Sequence, residues 1–390
     1  MKILRWSMIE KIGLYFVWMI IILFSVSNSF SAIRKGPYLI YTGDNTKMMV
    51  LWQLDVTETC TLEWGYDTSY SLGNVPVTEY VADHQYKYTI DSLDPGTKYY
   101  YRVTQSGGPH RGSFRTAPYA DAKNVKFLAY GDTRSYPATH NAVNGAMVST
   151  FTSDPEYQTI LLHSGDWVAT GESETDWTDQ FFGRTYSNTI EMEANLPING
   201  CRGNHEGTGN LYQKYWPYPY VSNFYWSFDY GPMHITVIDQ YTSYGTSSPQ
   251  LNWITNDLST SSKEWKFLIF HEPGWSAGGG HTNNTSVQTL IQPLCELYRV
   301  DIVFAGHNHY YCRCEVNDVR HLTCGGGGAP LHTPILSDPN VITATSAYNF
   351  CKINIQDKVL TFTALKPDGT IIDEFMISHL TFVTPWEIYK

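Results

Sequence analysis

The pattern of apolar and polar positions sets the first 31 residues apart from the rest of the chain. An apolar run, residues 12–24, follows the basic residues Lys2, Arg5 and Lys11. Its length fits the hydrophobic segment of a secretory signal better than a full membrane span. Ser29 and Ser31 then provide small residues around a cleavage point. We therefore expect residues 1–31 to be a signal peptide, with an uncleaved membrane anchor as the alternative.

Residues 35–118 show a pattern typical of a small all-β domain. Short β-rich runs such as MMVLWQL, YKYTI and KYYYRVT are separated by the turn sequences GDNTK and DPGTK. Regular short strands at this spacing predict a β-sandwich. The segment SLDPGTKYYYRV resembles the tyrosine-bearing corner of fibronectin type III modules. His84 and His110 are expected at the surface, so we interpret this domain as a scaffold or spacer.

From residue 124 to about residue 380 the pattern predicts an α/β domain. Buried-type strands, VKFLAY, TILLH, LPING, WKFLIF and VDIVFA, alternate with helical stretches. Leu251, Ile254 and Leu258 form one apolar helical face just before WKFLIF. Buried strands alternating with helices indicate an α/β architecture. In such sheets ligands bind beyond the carboxyl ends of the strands.

Composition narrows the possible partners. The chain has 390 residues, which predicts two or three domains, and its 42% hydrophobic content is sufficient for a real core. The net charge is −11 without a run of basic residues, which argues against nucleic acid as a partner. The cysteine count, seven, is odd. Cys312 or Cys314 can bridge a hairpin with Cys324, and the sequence does not choose between them.

Each of the five buried strands is followed by an Asp, Asn or His. The segments are, in order, Gly131–Arg134 (GDTR), Ser164–Asp166 (SGD), Cys201–Glu206 (CRGNHE), His271–Pro273 (HEP) and Gly306–His309 (GHNH). A single Asp after a strand is usually a turn or helix cap. Five such segments, all at carboxyl strand ends, instead predict one shared site.

The donor residues indicate metal binding. They are Asp132, Asp166, Asn204, His271, His307 and His309. Mixed oxygen and imidazole donors suit Zn, Mn or Fe better than Ca or Mg. Six donors are many for one ion but suitable for two, because a carboxylate can bridge ions about 3.5–4 Å apart.

These five segments together resemble the metallophosphoesterase superfamily, in particular the purple acid phosphatases with their N-terminal β-module. The family pattern runs GD, GD, GNH[DE], H and GHxH, and the chain matches it over about residues 126–310. The resemblance implies a four-layer α/β (α+β) sandwich, two β-sheets flanked by helices, preceded by a fibronectin III-like β-sandwich. It also implies a first metal held by Asp132, Asp166 and His309. The second would be held by Asp166, Asn204, His271 and His307, with His205 as general acid.

The chain departs from the family pattern at three positions. Ala169 stands where purple acid phosphatases carry a tyrosinate ligand, so we expect no purple charge-transfer band. Arg134 stands where many members have a histidine ligand, and His140 is a candidate replacement, with water as the alternative. Glu272 stands where a second histidine is common, and His281 is a candidate substrate contact in its place.

The expected function is a secreted, periplasmic or cell-surface phosphoesterase of the acid phosphatase type, with two Fe, Zn or Mn ions and a small phosphorylated substrate. Arg202 and Arg134 are candidates to bind phosphate, since guanidinium groups fit it bidentately, but either can equally hold a motif loop together. The alternatives are a phosphodiesterase or nucleotide pyrophosphatase on the same metals, and an inactive binding or adhesion protein. No nucleic acid partner and no stable membrane partner are expected.

Overall fold

The computed structural model describes residues 30–337 and 340–380. The predicted signal peptide therefore lies outside the described residues, apart from Phe30 and Ser31. Within the described ranges, no helix combines the length and the apolar character needed to cross a membrane.

Seven strands in residues 33–115 form two antiparallel sheets. They are β1 (Ile33–Ile40), β2 (Met48–Leu54), β3 (Cys60–Gly65), β4 (Gly73–Val77), β5 (Gln85–Ile90), β6 (Lys98–Gln105) and β7 (Gly108–Arg115). One sheet has the order β1-β2-β5 and the other β4-β3-β6-β7. Strict alternation along β6 turns Tyr99, Tyr101 and Val103 inward, where they share a core with Trp52 and Tyr86 of the facing sheet.

The rest of the described chain contains two further sheets. Their strands are β8 (Asn124–Tyr130), β9 (Leu161–His163), β10 (Ile198–Gly200), β11 (Trp226–Tyr230), β12 (Met233–Val237), β13 (Trp265–Ile269), β14 (Ile302–Ala305), β15 (Tyr311–Val316), β16 (Val319–Cys324), β17 (Val341–Thr345), β18 (Phe350–Gln356), β19 (Val359–Leu365) and β20 (Ile371–Ser378). The orders are β10-β9-β8-β18-β19-β20 and β11-β12-β13-β14-β16-β15-β17. Parallel pairing links β8, β9 and β10 in one sheet and β12, β13, β14 and β16 in the other.

The helices of the described chain range in length from 3 to 17 residues. The α-helices are α1 (Pro137–Ser153), α2 (Glu174–Asp176), α3 (Ser187–Asn195), α4 (Asn210–Tyr215), α5 (Pro249–Thr260) and α6 (Gln292–Tyr298). Pro155–Tyr157 and Asn204–Glu206 form 3₁₀ turns, and Trp177–Phe181 and Val287–Ile291 form π-helical turns.

The main core lies between the two sheets of the α/β domain. The Phe127 ring of β8 lies 5.7 Å from that of Phe267 and 6.3 Å from that of Phe304. Leu268, the next residue along β13, points to the opposite face and packs with Ile254 of α5. The layers are therefore helix, sheet, sheet and helix, which matches the predicted fold class.

Candidate metal centre

The six predicted metal donors lie on five loops at the carboxyl ends of parallel strands. Asp132 follows β8, Asp166 follows β9, Asn204 follows β10, His271 follows β13, and His307 and His309 follow β14. Glycines allow these loops to meet. A Cβ on Gly306 would lie 2.1 Å from Oδ2 of Asp132, and one on Gly203 would lie 2.2 Å from Oδ1 of Asp166. Any side chain at either glycine would displace a carboxylate.

Four of the donors converge on one point. Asn204 Oδ1 lies 3.1 Å from His271 Nε2 and 3.1 Å from His307 Nδ1. His271 Nε2 lies 3.2 Å from His307 Nδ1 and 3.2 Å from Asp166 Oδ1. A tetrahedral ion with bonds of about 2.0 Å holds its ligands roughly 3.3 Å apart. These side chains therefore fit a single metal ion.

Backbone carbonyls fix the direction in which the key imidazoles point. Nδ1 of His271 donates to the Ser164 carbonyl at 2.9 Å, and Nδ1 of His309 donates to the Pro330 carbonyl at 2.6 Å. With these bonds in place, the Nε2 atom of each ring faces the cluster. Metal-binding histidines characteristically donate their other N–H in this way.

A second group of donors lies beside the first and shares Asp166 with it. Ligand atoms of Asp132, Asp166 and His309 all lie within 4.8 Å of one another. The guanidinium of Arg134 lies among them, with Nε 3.2 Å from Asp166 Oδ2 and Nη2 3.1 Å from His309 Nε2. Two buried carboxylates and an imidazole thus surround a positive charge, which is the environment a metal cation requires.

The electrostatics of the cluster favour positive charge at its centre. Burial lowers the pKa of a histidine, yet Asp166 and Asp132 raise the pKa of His271 to about 10. Despite its burial, the pKa of Asp166 is lowered, because His271, His205 and Arg134 lie close to it. Burial lowers the pKa of His307 to about 2 and that of His309 to about 3. Both rings are therefore neutral at pH 7, the form in which histidine binds metal.

Three of the donors have strained backbones. The φ angles of Asp132, Asp166 and His307 are 55°, 57° and 68°. Non-glycine residues seldom adopt this left-handed region, and when they do they concentrate at functional sites.

Comparison with known proteins agrees with this geometry. The profile of the calcineurin-like phosphoesterase family matches residues 106–311, slightly more than half of the 390 residues. The chain belongs to the calcineurin-like phosphoesterase family.

The relatives of this chain include plant purple acid phosphatases. It is 28% identical to purple acid phosphatase 21 of Arabidopsis thaliana, over 57% of this chain and 52% of that protein. It is 32% identical to purple acid phosphatase 18 of the same plant, over 61% of this chain and 57% of that protein. The chain therefore spans little more than half the length of these curated relatives.

A solved structure shows the same fold. The purple acid phosphatase from yellow lupin (Lupinus luteus) seeds superimposes with a TM-score of 0.73, covering 88% of this chain and 74% of the lupin chain. The two sequences are 20% identical, so the likeness concerns the fold. The resemblance to purple acid phosphatases predicted from the motifs is thereby confirmed.

In this family member, His205 lies at the mouth of the donor cluster. Its side chain is 28% exposed, and its Nε2 lies 3.8 Å from Asp166 Oδ2. Its Nδ1 donates to the carbonyl of Ala169 at 2.6 Å. Ala169 thus contributes a backbone oxygen that orients His205, at the position where a tyrosinate ligand would otherwise stand.

The two candidate phosphate-binding arginines have different surroundings. Arg202 is buried and forms a bidentate pair with Asp239, with Nε to Oδ1 at 2.8 Å and Nη2 to Oδ2 at 3.1 Å. Its Nη1 donates to the carbonyl of Gly207 at 2.8 Å. These contacts favour the interpretation in which Arg202 holds the motif loop together. Arg134, in contrast, points directly into the donor cluster.

His140 does not join the donors. It is fully buried, its ring packs against Tyr130 and Phe181, and its Nε2 lies 3.2 Å from the Tyr130 hydroxyl. Within the described residues, the ligand atoms of Asp132, Asp166 and His309 lie close enough together to bind one ion, and His140 is not part of that group. His281, however, does reach the site, because its ring stacks on that of His307 with centroids 3.8 Å apart.

The structure also adds residues that the sequence analysis did not single out. His332 stacks on His309, with ring centroids 4.0 Å apart. It lies in an irregular loop beyond the last motif, so no periodicity or spacing points to it. Glu206 accepts hydrogen bonds from the backbone N–H groups of Asp166 and Trp167, at 3.1 and 2.9 Å. The sequence could have indicated this role, because Glu206 is the acidic last residue of the GNHE segment.

Proposed function

We propose that this protein hydrolyses phosphate monoesters with two metal ions held by the six donor residues. The convergence of Asp166, Asn204, His271 and His307 at 3.1–3.2 Å supports this proposal most directly. The substrate we propose is a small phosphorylated molecule. The basic and apolar N-terminal sequence supports secretion to the periplasm, the cell surface or the medium.

The ions, when bound, supply a water of lowered pKa as nucleophile and neutralise charge on the phosphoryl oxygens. Asp166 is placed to serve both donor groups, since Oδ1 faces His271 and Oδ2 faces Arg134. The Ser164 and Pro330 carbonyls keep the imidazole donors His271 and His309 oriented. Zn, Mn and Fe all suit this mixture of imidazole and oxygen donors.

His205 is the general acid in this proposal. Because Nδ1 donates to the Ala169 carbonyl, the second proton of a protonated ring resides on Nε2, the atom that faces the cluster. The Asp166 carboxylate, 3.8 Å away, stabilises that charged ring. Nε2 can then deliver its proton to the leaving alkoxide or phenoxide oxygen.

Initial rates on an aryl phosphate monoester and on the matching diester test the proposal. The purified protein is loaded separately with Zn, Mn and Fe, and bound metal is counted by elemental analysis. We expect about two ions per chain and a dominant monoester rate. A dominant diester rate would assign the same donors to a phosphodiesterase. Full metal occupancy without either activity would favour a binding protein.

The variant Asp166→Asn tests the proposed metal site directly. The amide keeps the size of the side chain but removes the shared negative charge, so metal occupancy and turnover should fall together. We expect a loss of about a hundred- to a thousandfold in kcat, comparable to the loss of a major transition-state contact. Unchanged turnover in this variant would rule out the proposed site.

A further inference from the structure

A second layer of imidazoles covers the metal-binding histidines. The outer imidazole pair, His281 and His332, lies over the inner pair, His307 and His309. His281 stacks on His307 with centroids 3.8 Å apart and planes 23° apart, and His332 stacks on His309 at 4.0 Å and 24°. The two outer rings meet edge to face at 5.5 Å and 64°.

The His332 ring is locked in one orientation. The backbone N–H of His309 donates to Nδ1 of His332 at 3.2 Å, and the backbone N–H of His332 donates to the carbonyl of His309 at 3.0 Å. Because Nδ1 accepts a hydrogen bond, the proton of the neutral ring must reside on Nε2. The hydrogen bonds of His332 within the described residues involve Nδ1 and the backbone and not Nε2, so Nε2–H remains a donor for a ligand.

Two glycines make room for the loop that carries this ring. A Cβ on Gly280 would lie 2.0 Å from Nδ1 of His332, and one on Gly279 would lie 1.9 Å from the carbonyl oxygen of Thr333. The loop that carries His281 therefore contacts the loop that carries His332 with no space for a side chain between them. Ile335 N–H also donates to the Ala277 carbonyl at 2.8 Å and joins the same two loops.

Asn308 fixes the loop that carries His281 to the metal-binding motif. Its Oδ1 accepts from the backbone N–H of His281 at 2.7 Å, and its Nδ2 donates to Ser276 Oγ at 2.9 Å. Asn308 is fully buried, so these bonds are shielded from water. His281 is thus preorganised by the residue that lies between His307 and His309, and His332 is held by its bonds to the His309 backbone.

We propose that His332 is a substrate-binding residue whose Nε2–H donates to a non-bridging oxygen of the phosphoryl group. This inference rests on the proposed function, and it assigns a residue outside the five family segments to the reaction. A preorganised neutral donor beside the Arg134 cation stabilises an anion at the mouth of the site. The phosphoryl group is the anion that the two metal ions of the proposed function would hold next to this donor.

The test uses His332→Phe and His332→Gln. Phenylalanine retains a ring to stack on His309 but removes the donor, while glutamine restores an N–H near the position of Nε2. The readouts are metal content, the Kd of inorganic phosphate for the metal-loaded protein by titration calorimetry, and KM and kcat for the aryl monoester. Leu336→Ala, in the same loop with a side chain 67% exposed, is the control for general disturbance of the loop.

We expect His332→Phe to retain its metal and to weaken phosphate binding by about tenfold or more, as for loss of a hydrogen bond to a charged group. KM should rise in parallel, His332→Gln should recover part of the loss, and Leu336→Ala should resemble the wild type. An unchanged phosphate Kd in His332→Phe would overturn the proposal. Loss of metal in both His332 variants would also overturn it and would reduce His332 to a support for His309.

The phosphate measurement separates this proposal from the proposed function. If the wild-type protein binds phosphate but hydrolyses no ester, the enzymatic proposal fails while the comparison between wild type and His332→Phe still decides the role of His332. If the wild-type protein hydrolyses esters and both His332 variants bind phosphate as tightly as the wild type does, only the assignment of His332 fails.

Discussion

At the scale of single residues, the ion-pair partner of each candidate arginine determines whether that arginine belongs to the site. Arg134 lies among Asp132, Asp166 and His309, where its guanidinium pairs with the buried Asp166 carboxylate. Arg202 balances Asp239 instead, outside the donor cluster. The two arginines look equivalent in the sequence, because each lies within two residues of a metal donor. Their partners, more than 30 residues away, distinguish them.

The Arg202–Asp239 pair gives a prediction about stability. Both side chains are at least 94% buried, so removing one leaves a buried charge without its partner. Arg202→Leu and Asp239→Leu should each lower the free energy of unfolding by about 3–5 kcal/mol. The double variant should lose less than the sum of the two, since neither charge remains. Urea denaturation of the four proteins measures this coupling.

The same variants separate a structural role from phosphate binding. If Arg202 holds the loop, the Arg202→Leu molecules that remain folded should have a KM close to that of the wild type. A KM raised tenfold or more, with the free energy of unfolding unchanged, would contradict this role and return Arg202 to the phosphate.

At the scale of secondary structure elements, the turns after the strands decide the geometry. Gly203 comes directly before Asn204, and a Cβ there would lie 2.2 Å from Oδ1 of Asp166 and 2.5 Å from its backbone nitrogen. Real Cβ atoms do not approach other atoms so closely, so Asp166 must move. Because Asp166 is shared by both donor groups, a displacement of this carboxylate affects both.

Gly203→Ala should therefore reduce metal occupancy and lower kcat by about a hundredfold, the cost of a 1 Å misplacement in a site. Gly245→Ala is the control, because a Cβ at Gly245 would meet only Ser243 Oγ, at 3.8 Å. Elemental analysis and initial rates on both variants provide the measurement. Full occupancy in Gly203→Ala would show that the loop relaxes without moving Asp166.

His234 joins three elements through its charge. Nδ1 of His234, on β12, lies 2.8 Å from Asp229 of β11, and its Nε2 lies 3.0 Å from Asp257 of α5. Burial opposes its protonation, but the hydrogen bonds to Asp229 and Asp257 raise its pKa from 6.5 to about 9. The folded state therefore binds this proton more tightly than the unfolded state does.

The resulting stability depends on pH in a defined direction. The raised pKa contributes about 3 kcal/mol, fully present below pH 6.5 and lost as pH rises through about 9. We expect the difference in unfolding free energy between wild type and His234→Gln to shrink by about this amount from pH 6 to pH 10. Urea denaturation at several pH values measures it, and a constant difference would show that the charge of His234 is unimportant.

The elements also show how far the sequence could predict the site. The five strands that precede the motifs were identifiable because each is a buried apolar run ending at a glycine or a polar donor. The predicted face of α5 is present, with Ile254 and Leu258 fully buried. His332 could not be predicted, because it reaches the site only through the pairing of two irregular loops. The sequence leaves open a hairpin bridge from Cys324 to Cys312 or Cys314, and in the structure Cys324 Sγ lies 3.4 Å from Cys351 Sγ of the other sheet.

At the scale of the whole molecule, a network of charges joins the N-terminal β-sandwich to the phosphoesterase domain. Lys35 of β1 is fully buried, and its Nζ lies 2.6 Å from Gln53 Oε1 and 3.3 Å from Glu174 Oε2. Lys214 of α4 contacts the same Glu174 and also Asp83 of the β-sandwich, the latter at 2.7 Å. Glu174 therefore connects a cation from each domain.

Burial lowers the pKa of Lys35 to about 8, and the Glu174 charge opposes this effect. Glu174→Gln leaves the Lys35 ammonium buried without a counter-charge, so the contact between the domains should weaken by about 2 kcal/mol. Calorimetry should then show a lower unfolding temperature for the variant or two separate transitions. Limited proteolysis should cut more readily in the connecting segment, residues 116–123.

Glu156→Gln is the matched control for this prediction. Glu156 pairs with Lys126 inside the phosphoesterase domain, but its side chain is 74% exposed, and such surface pairs contribute at most about 1 kcal/mol. Both variants remove one negative charge, so a general effect of net charge would affect them equally. A large effect of Glu174→Gln alone would show that the β-sandwich is held in place by Glu174. Equal, small effects would mean that apolar contacts such as those of Tyr38 with Phe182 and Trp216 are sufficient.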